Sequence, residues 1–250
     1  MCPQIFENVI RTLEFYGNGR RFGFLYLRRK TFKLPGSINV SGNKVIVRHP
    51  TELGVTADFL DCFVFNVYGY GKKMSKVEKV LDIGANIGFS ALAARGFYPR
   101  AIIHAYEPNP RVLPMLFTNT QGQNIQIFSE AVGGNDGYAT LIDERESNAA
   151  QVYFCGSAAG SIRQVSLDTA IERMGGTVDL LKLDCEGAEW QIFRQSRHWD
   201  KIHNLRMEYH LFRGESRNEL FDTLSKLGFR VLHEKSTQRL CGIVWAARVD

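Results

Sequence analysis

The chain has 250 residues, of which 44% are hydrophobic and 23% charged, and its formal net charge is +5. This length and composition are typical of a globular protein with one sizeable core, and no apolar run reaches the roughly 18 residues of a membrane span. We expect no secretory signal, since no basic start precedes an apolar stretch. The five cysteines are scattered, which argues against a disulfide framework or a zinc site and favours a reducing cytoplasm.

The positive charge is concentrated in residues 20–33, which contain no acid. Its basic residues are Arg20, Arg21, Arg28, Arg29, Lys30 and Lys33. Four aromatic residues interleave with them: Phe22, Phe24, Tyr26 and Phe32. Such a segment could contact nucleic acid, an anionic lipid surface or an acidic partner, but a solvated, partly packed element is the simpler interpretation. A short strand is predicted at residues 44–48.

Strand and helix signals alternate from residue 78 onward. Strands are predicted at residues 79–83, 102–107, 125–129, 178–184 and 205–210. Helices are predicted at residues 89–95, 111–120, 167–174, 187–194 and 215–227, the last ending before Gly228. This alternation makes a parallel sheet with helices on both faces. Two final strands, 229–234 and 240–248, have so short a link that they must pair antiparallel.

We therefore predict an α/β fold with a doubly wound, mostly parallel, seven-stranded Rossmann-like sheet and a C-terminal antiparallel hairpin. Residues 1–77 are expected to form an N-terminal extension of a helix and short strands, acting as a cap or as a region that binds substrate or a partner. Residues 78–250 are expected to form the main domain.

Residues 80–90 combine an apolar strand, an acid and a turn with two glycines before a helix. Gly84 lets the backbone turn tightly after Asp82, and Gly88 lets the start of the helix lie close to a ligand. Asn86 stands where a third glycine could sit, and asparagine tolerates left-handed backbone geometry. A purely structural corner is the alternative.

Glu107 follows the second strand of this series, about 20 residues after the glycines. A carboxylate there can accept hydrogen bonds from both ribose hydroxyls of an adenosine cofactor, a demand that NAD and S-adenosylmethionine (SAM) share. A surface acid is the alternative. Beyond the third strand, the loop with Glu130 and Ala131 would face the adenine.

Two further strands end in acids. Asp184 and Glu186 follow the strand at 178–184 and should point into the crevice at the carboxyl ends of the strands. In the next strand, alternation puts Glu208 and His210 on one face. If the two strands are neighbours, Asp184, Glu208 and His210 converge beside the cofactor.

With these residues in place, the chain resembles the FkbM-type family of SAM-dependent methyltransferases over about residues 79–232. The likeness rests on six ordered blocks, at residues 81–88, 107–110, 130–133, 165–168, 179–189 and 208–210. Asn86 is usual in the glycine turn of this family. The resemblance implies a class I methyltransferase domain at residues 78–250 and O-methylation, typically of sugar or secondary-metabolite hydroxyls.

Carried over position by position, the resemblance implies that Asp82, Gly84, Asn86 and Glu107 bind SAM and that Asp184 and Glu186 line the site. Our full cofactor-binding prediction is Asp82, Gly84, Ala85, Asn86, Gly88, Glu107, Pro108, Glu130, Ala131 and Asp184. Glu186 is predicted to line the substrate. The acceptor itself is not identified, and residues 1–77, residues 143–160 and the loop after His210 are the expected sources of its selection.

Asp184, Glu208 and His210 are the predicted catalytic residues. Methyl transfer needs an aligned nucleophile about 3 Å from the methyl carbon, with its proton removed. His210 can take that proton near neutral pH, and a carboxylate can orient it. Alternatively, the three residues hold Mg²⁺, which would acidify a bound hydroxyl. The structural alternatives are a satisfied histidine and a Glu208 paired with Arg206 or Arg213.

Three other functions compete. A nucleic-acid methyltransferase would use residues 20–33, but carboxylates beside the substrate repel phosphates. Enzymes that methylate base nitrogens often carry Pro-Pro and an aromatic residue where this chain has Cys185-Glu186-Gly187. A non-catalytic SAM-fold protein would bind a partner through its N-terminal region. An NAD-dependent oxidoreductase is disfavoured by the terminal hairpin and by Asp82. The oligomeric state stays open, and a homo-oligomer is compatible with the sequence.

Overall fold

The computed structural model describes residues 3–52, 54–74, 76–142, 151–154, 162–212, 214–237 and 239–249. The N-terminal region contains α1 (Pro3–Arg21), β1 (Ser37–Val40), β2 (Asn43–Ile46) and α2 (Val55–Leu60). β1 and β2 pair antiparallel across a turn at Ser41 and Gly42, where both residues have positive φ. α2 continues into one π-helical turn, Asp61–Phe65.

The remaining elements include the predicted strands and helices, together with four strands between residues 131 and 166 that were not predicted. In chain order they are β3 (Lys79–Ile83), α3 (Phe89–Phe97), β4 (Ile102–Tyr106), α4 (Leu113–Thr120), β5 (Ile125–Phe128), β6 (Ala131–Gly133), β7 (Gly137–Ile142), β8 (Gln151–Phe154), β9 (Ile162–Ser166), α5 (Leu167–Arg173), β10 (Val178–Leu183), α6 (Glu189–Gln195), β11 (Ile202–His210), α7 (Arg217–Lys226), β12 (Phe229–Ser236) and β13 (Cys241–Arg248).

Seven of these strands form the central sheet, in the order β12-β13-β11-β10-β3-β4-β5. The five strands from β11 to β5 are parallel, whereas β13 runs antiparallel to both of its neighbours. In chain order, the first strand of this sheet is β3, and β4 and β5 are added on one side of it. β10 and β11 are then added on the other side of β3. This confirms the predicted doubly wound sheet with its terminal hairpin.

The two faces of the sheet bury separate apolar clusters. Val80 of β3 and Leu180 of β10 pack with α3, α4 and the N-terminal region. Leu81 and Leu181, one residue further along each strand, pack with α5, α6 and α7. Because both faces are covered, these strands are nearly continuous apolar runs. A polar residue inside one of them therefore needs a specific partner.

A second, four-stranded sheet with the order β6-β9-β7-β8 was not predicted. It lies in the chain between β5 and α5, and it combines one parallel pair with two antiparallel pairs. Of the predicted substrate-selecting segment 143–160, residues 143–150 and 155–160 lie outside the described residues.

The N-terminal region shares one core with the central sheet. Phe22 is fully buried against α3, where a Cβ on Gly96 would lie 2.3 Å from its ring. Phe59 and Phe63 make edge contacts with Phe89 at the start of α3. The division into two domains at residue 77 stays a prediction. Within the described ranges, no helix has the length and apolarity that crossing a membrane requires.

Candidate active site

The turn after β3 is pressed against the end of β10. Gly84 has φ 76°, and a Cβ at this position would lie 1.8 Å from the carbonyl oxygen of Asp184. The amides of Gly84 and Ala85 both donate to the carbonyl oxygen of Tyr106, at 3.1 and 3.0 Å. Only glycine can therefore join the ends of β3, β4 and β10 so closely.

Asn86 and Gly88, the other two special positions of this turn, have different structural roles. Asn86 has φ 47°, the left-handed geometry that the sequence predicts. Gly88 has φ 91°, but a Cβ there would lie 2.9 Å from Leu116 and 3.0 Å from Thr120, both on α4. Gly88 thus allows α3 to pack against α4, and it does not line the cavity described below.

Glu107 presents its carboxylate at the end of β4. Its Oε2 accepts the backbone N–H of Asn86 at 2.7 Å, and its Oε1 accepts that of Asn109 at 2.8 Å. Burial raises the pKa of Glu107 to about 7, although the two N–H donors oppose the shift. A carboxylate oxygen has two acceptor sites, so each oxygen can accept one further hydrogen bond from a ligand.

Lys182 is a buried cation in the middle of an apolar strand. Its Nζ donates to the carbonyl oxygen of Gly84 at 2.6 Å and lies 3.4 Å from both Asp82 Oδ1 and Asp184 Oδ2. Burial acts to lower the pKa of Lys182, but Asp184 and Asp82 raise it above its ordinary value. Burial also raises the pKa of Asp82, against the charge of Lys182. Lys182 therefore ties the β3 turn to the β10 turn.

Tyr68 connects the N-terminal region to the same group. Its hydroxyl donates to Asp184 Oδ2 at 2.9 Å, and Lys182 Nζ lies 5.5 Å from the centre of its ring. Burial raises the pKa of Tyr68, so the phenol stays protonated and acts as a donor. Asp184 is thus held by one residue from its own strand and one from the N-terminal region.

Asp184, Glu208 and His210 converge as predicted. β10 and β11 are parallel neighbours, and one ligand atom from each of the three residues lies within 4.8 Å of the others. Met207 and Tyr209, the alternate residues of β11, pack in the opposite core. The convergence is confirmed; the catalytic role of each residue stays a prediction.

His210 lies between two carboxylates. Its Nε2 is 3.4 Å from Glu186 Oε2, and its Nδ1 is 3.3 Å from Glu189 Oε1. Burial acts to lower the pKa of His210, but Glu189 and Glu186 raise it to about 10. Burial, with the charge of Asp184, raises the pKa of Glu208 to about 8. In this arrangement His210 carries a proton at neutral pH, and Glu208 titrates close to neutrality.

The sequence offers Arg206 and Arg213 as possible salt-bridge partners of Glu208. Arg206 is fully buried and donates to the carbonyl oxygens of Leu205 and Ala246, at 3.0 and 3.2 Å. Its guanidinium also lies 5.4 Å from the ring centre of Trp245. Arg206 thus belongs to the packing of the terminal hairpin. Arg213 lies outside the described residues.

One cavity of about 1150 Å³ joins these groups. The predicted residues that line it are Gly84, Ala85, Asn86, Glu107, Pro108, Ala131, Asp184, Glu186, Glu208 and His210. Asp82 and Glu130 do not. The carboxylate of Asp82 faces Lys182, while that of Glu130 pairs with Arg173 and, at 3.1 Å, with Arg163.

Other lining residues come from parts of the chain that carry no motif. Asp61 and Tyr68 extend into it from the N-terminal region, and Lys235 and Trp245 do so from the terminal hairpin. Sequence reasoning did not find these residues. Lys182 did carry a signal, because a charge in the apolar run 178–183 requires buried partners.

The strand order, the glycine turn, the acid after the second strand of the parallel series and the acids at the ends of β10 and β11 define a class I methyltransferase fold. A family model described as the methyltransferase FkbM domain matches residues 82–231. The chain belongs to this family.

Two curated relatives are similar to part of the chain. Methyltransferase 1 of Beauveria bassiana (strain ARSEF 2860) is 26% identical over 157 residues, covering 52% of this chain and 63% of the relative. Methyltransferase sdnD of Sordaria araneosa is 25% identical over 174 residues, covering 52% and 65%. The similarity therefore spans less than two thirds of either relative. Among solved structures, the magnesium protoporphyrin IX methyltransferase of Synechocystis PCC 6803 with bound SAM matches at a TM-score of 0.49 and 12% identity, covering 81% of this chain and 87% of that one.

Proposed function

We propose that the chain is a SAM-dependent methyltransferase that methylates a hydroxyl group of a small molecule or sugar. The observation that carries this proposal is the shared cavity. Glu107, with a free acceptor site on each oxygen, and the cluster of Asp184, Glu208 and His210 line the same space. Family membership supports the methyl-transfer chemistry.

The residues of the β3 and β4 turns fit the nucleoside part of SAM. Glu107 can accept both ribose hydroxyls, as the acid after the second strand does in nucleotide-binding sheets. Asn86 lines the same space, and its backbone N–H holds Glu107 Oε2 in place. The cavity exceeds the roughly 300–1,000 Å³ that one drug-sized ligand needs, which leaves room for an acceptor.

The acceptor side provides a group suited to proton removal. SAM, when bound, supplies the methyl group. Glu208 is our candidate for the group that takes the hydroxyl proton, since a pKa near the working pH suits a general base. His210, which is charged, would stabilise the Glu208 carboxylate. Asp184 would orient the hydroxyl while Tyr68 and Lys182 hold it in place.

The donor set does not fit Mg²⁺. Magnesium prefers oxygen ligands, and a histidine binds a metal only through a neutral nitrogen. His210 is held as a cation by Glu186 and Glu189. Asp184 Oδ2 already contacts the Tyr68 hydroxyl and the Lys182 ammonium.

The lining of the cavity suits a small acceptor. Bases (Arg11, Lys72, Lys182 and Lys235) and acids (Asp58, Asp61 and Asp184) are interspersed in it, whereas a phosphate backbone binds best to a surface of bases alone. A cytoplasmic location is also part of the proposal, since the cysteines at 62, 185 and 241 are free thiols.

Titration with S-adenosylhomocysteine in a calorimeter tests the cofactor. We expect micromolar binding that Glu107→Ala weakens at least tenfold, since loss of hydrogen bonds to a charged group costs about 1.5–3 kcal/mol each. Glu172→Ala, at an exposed glutamate on α5, is the matched control and should bind normally. No binding by the folded wild type would refute the proposal and favour a non-catalytic interaction protein.

A further inference from the structure

A short exposed segment, residues 25–30, combines leucines with basic residues. Leu25 and Leu27 are 64% and 77% exposed. Arg28, Arg29 and Lys30 follow directly and are also exposed. Isolated exposed leucines are ordinary on protein surfaces, but two leucines next to three adjacent bases form a patch.

The outward direction of the two leucines is fixed by their neighbours. The ring of Phe24 lies 5.3 Å from that of Phe59, and the ring of Tyr26 lies 5.8 Å from that of Phe65. Alternate side chains of an extended chain point to opposite sides. With positions 24 and 26 packed inward, Leu25 and Leu27 share the outer face.

The segment lies at the edge of the cavity. Tyr26 also contacts Phe15, with ring centres 6.4 Å apart, and both Phe15 and Phe65 line the cavity. Burial raises the pKa of Asp61, another lining residue, to about 6, and the nearby charge of Arg29 opposes that shift. A surface that binds residues 25–30 would therefore lie next to the cavity.

We propose that residues 25–30 dock the protein on an anionic membrane surface, with Leu25 and Leu27 at the headgroup boundary and the three bases against lipid phosphates. Apolar side chains beside a basic face are what interfacial membrane segments use. A net charge of +5 adds long-range attraction to a negative leaflet. A nucleic acid would engage the bases but would offer the leucines no apolar layer.

Co-sedimentation of the full chain with lipid vesicles tests this proposal, which does not rest on the methyltransferase activity. Vesicles of phosphatidylcholine with about 30% phosphatidylserine should bind the chain, and vesicles of phosphatidylcholine alone should not. Binding should weaken about tenfold or more in about 0.5 M salt, where screening shortens the range of the attraction.

Two double variants separate the contributions of the leucines and the bases. L25S/L27S and R28Q/K30Q should each weaken vesicle binding at least tenfold. The control R100Q/I102S removes an exposed base and an apolar residue that is 52% exposed at the start of β4, and it should bind normally. A thermal unfolding curve for each variant shows that it is folded.

Four outcomes would overturn the proposal. They are the absence of vesicle binding, equal binding to both vesicle types, wild-type binding by both double variants, and RNA or DNA binding that depends on the same residues while vesicles fail to bind. A dimer that L25S/L27S dissolves, again without vesicle binding, would identify a second copy as the partner.

Discussion

Gly84 offers the sharpest test of the contact between the β3 and β10 turns. In Gly84→Ala the new Cβ would lie 1.8 Å from the carbonyl oxygen of Asp184, whereas ordinary contacts begin near 3.4 Å. One turn must therefore move by on the order of 1.5 Å, and displacing packed backbone costs about 1–3 kcal/mol. The φ of 76° adds roughly 1 kcal/mol for alanine. We expect a loss of about 2–4 kcal/mol in the free energy of unfolding.

Thermal unfolding measures this loss, and Gly176→Ala is the matched control. Gly176 has φ 80° with no atom within 4 Å of the Cβ that alanine would add, so its substitution carries only the backbone penalty. At about 2–4 °C per kcal/mol for a chain of this size, Gly84→Ala should lower Tm by about 4–16 °C and Gly176→Ala by about 2–4 °C. S-adenosylhomocysteine affinity should fall at least tenfold in Gly84→Ala alone. Equal losses of Tm, or normal affinity in Gly84→Ala, would refute the reasoning.

Three further predictions concern the charged groups. Ribose hydroxyls favour the ionised form of the Glu107 carboxylate. S-adenosylhomocysteine affinity, measured by calorimetry, should therefore fall by up to about tenfold per pH unit below pH 7. Glu107→Gln should abolish this pH dependence, and its loss in the control Glu172→Gln would contradict the assignment. Once an acceptor is found, the rate of methyl transfer should rise with pH through about 8. Glu208→Gln should lower that rate by about 10²-fold. An unchanged pH–rate profile in this variant would exclude Glu208 as the base. Asp184→Asn should abolish turnover yet keep S-adenosylhomocysteine affinity within a few-fold, with Asp222→Asn on α7 as the active control; surviving turnover would remove Asp184 from the chemistry.

The cofactor half of the site could be predicted because its determinants are local. Gly84 and Asn86 sit in the turn between a strand and its helix, and backbone sterics restrict which residues can adopt positive φ there. The position of Glu107 is predictable because, in parallel sheets, ligand-facing residues lie at the carboxyl ends of the strands. The convergence of Asp184 with Glu208 is predictable for the same reason, because β10 and β11 are parallel neighbours.

The acceptor half depends on contacts between distant parts of the chain. Tyr68 reaches Asp184 across 116 residues, and no periodicity marks that pairing. The four-stranded sheet was missed because β6 has only three residues, Ala131–Gly133, and pairs with β9, about 30 residues away. Gly88 was given a ligand role from its position, whereas the packing of α4 against α3 explains why no side chain fits there.

Contacts with other parts of the chain also decide the role of His210. Taken alone, a histidine at the end of a strand titrates near its ordinary pKa of about 6.5 and would serve as a base. In the folded chain, Glu186 and Glu189 from the turn and helix after β10 face its two ring nitrogens, and the pKa rises to about 10. A base with the ordinary histidine pKa would make the rate rise through about 6.5, whereas Glu208 makes it rise through about 8. An inflection near 8 therefore excludes a base with the ordinary histidine pKa. Because burial also raises the pKa of Glu186 to about 8, the loss of rate in Glu208→Gln decides between the two glutamates.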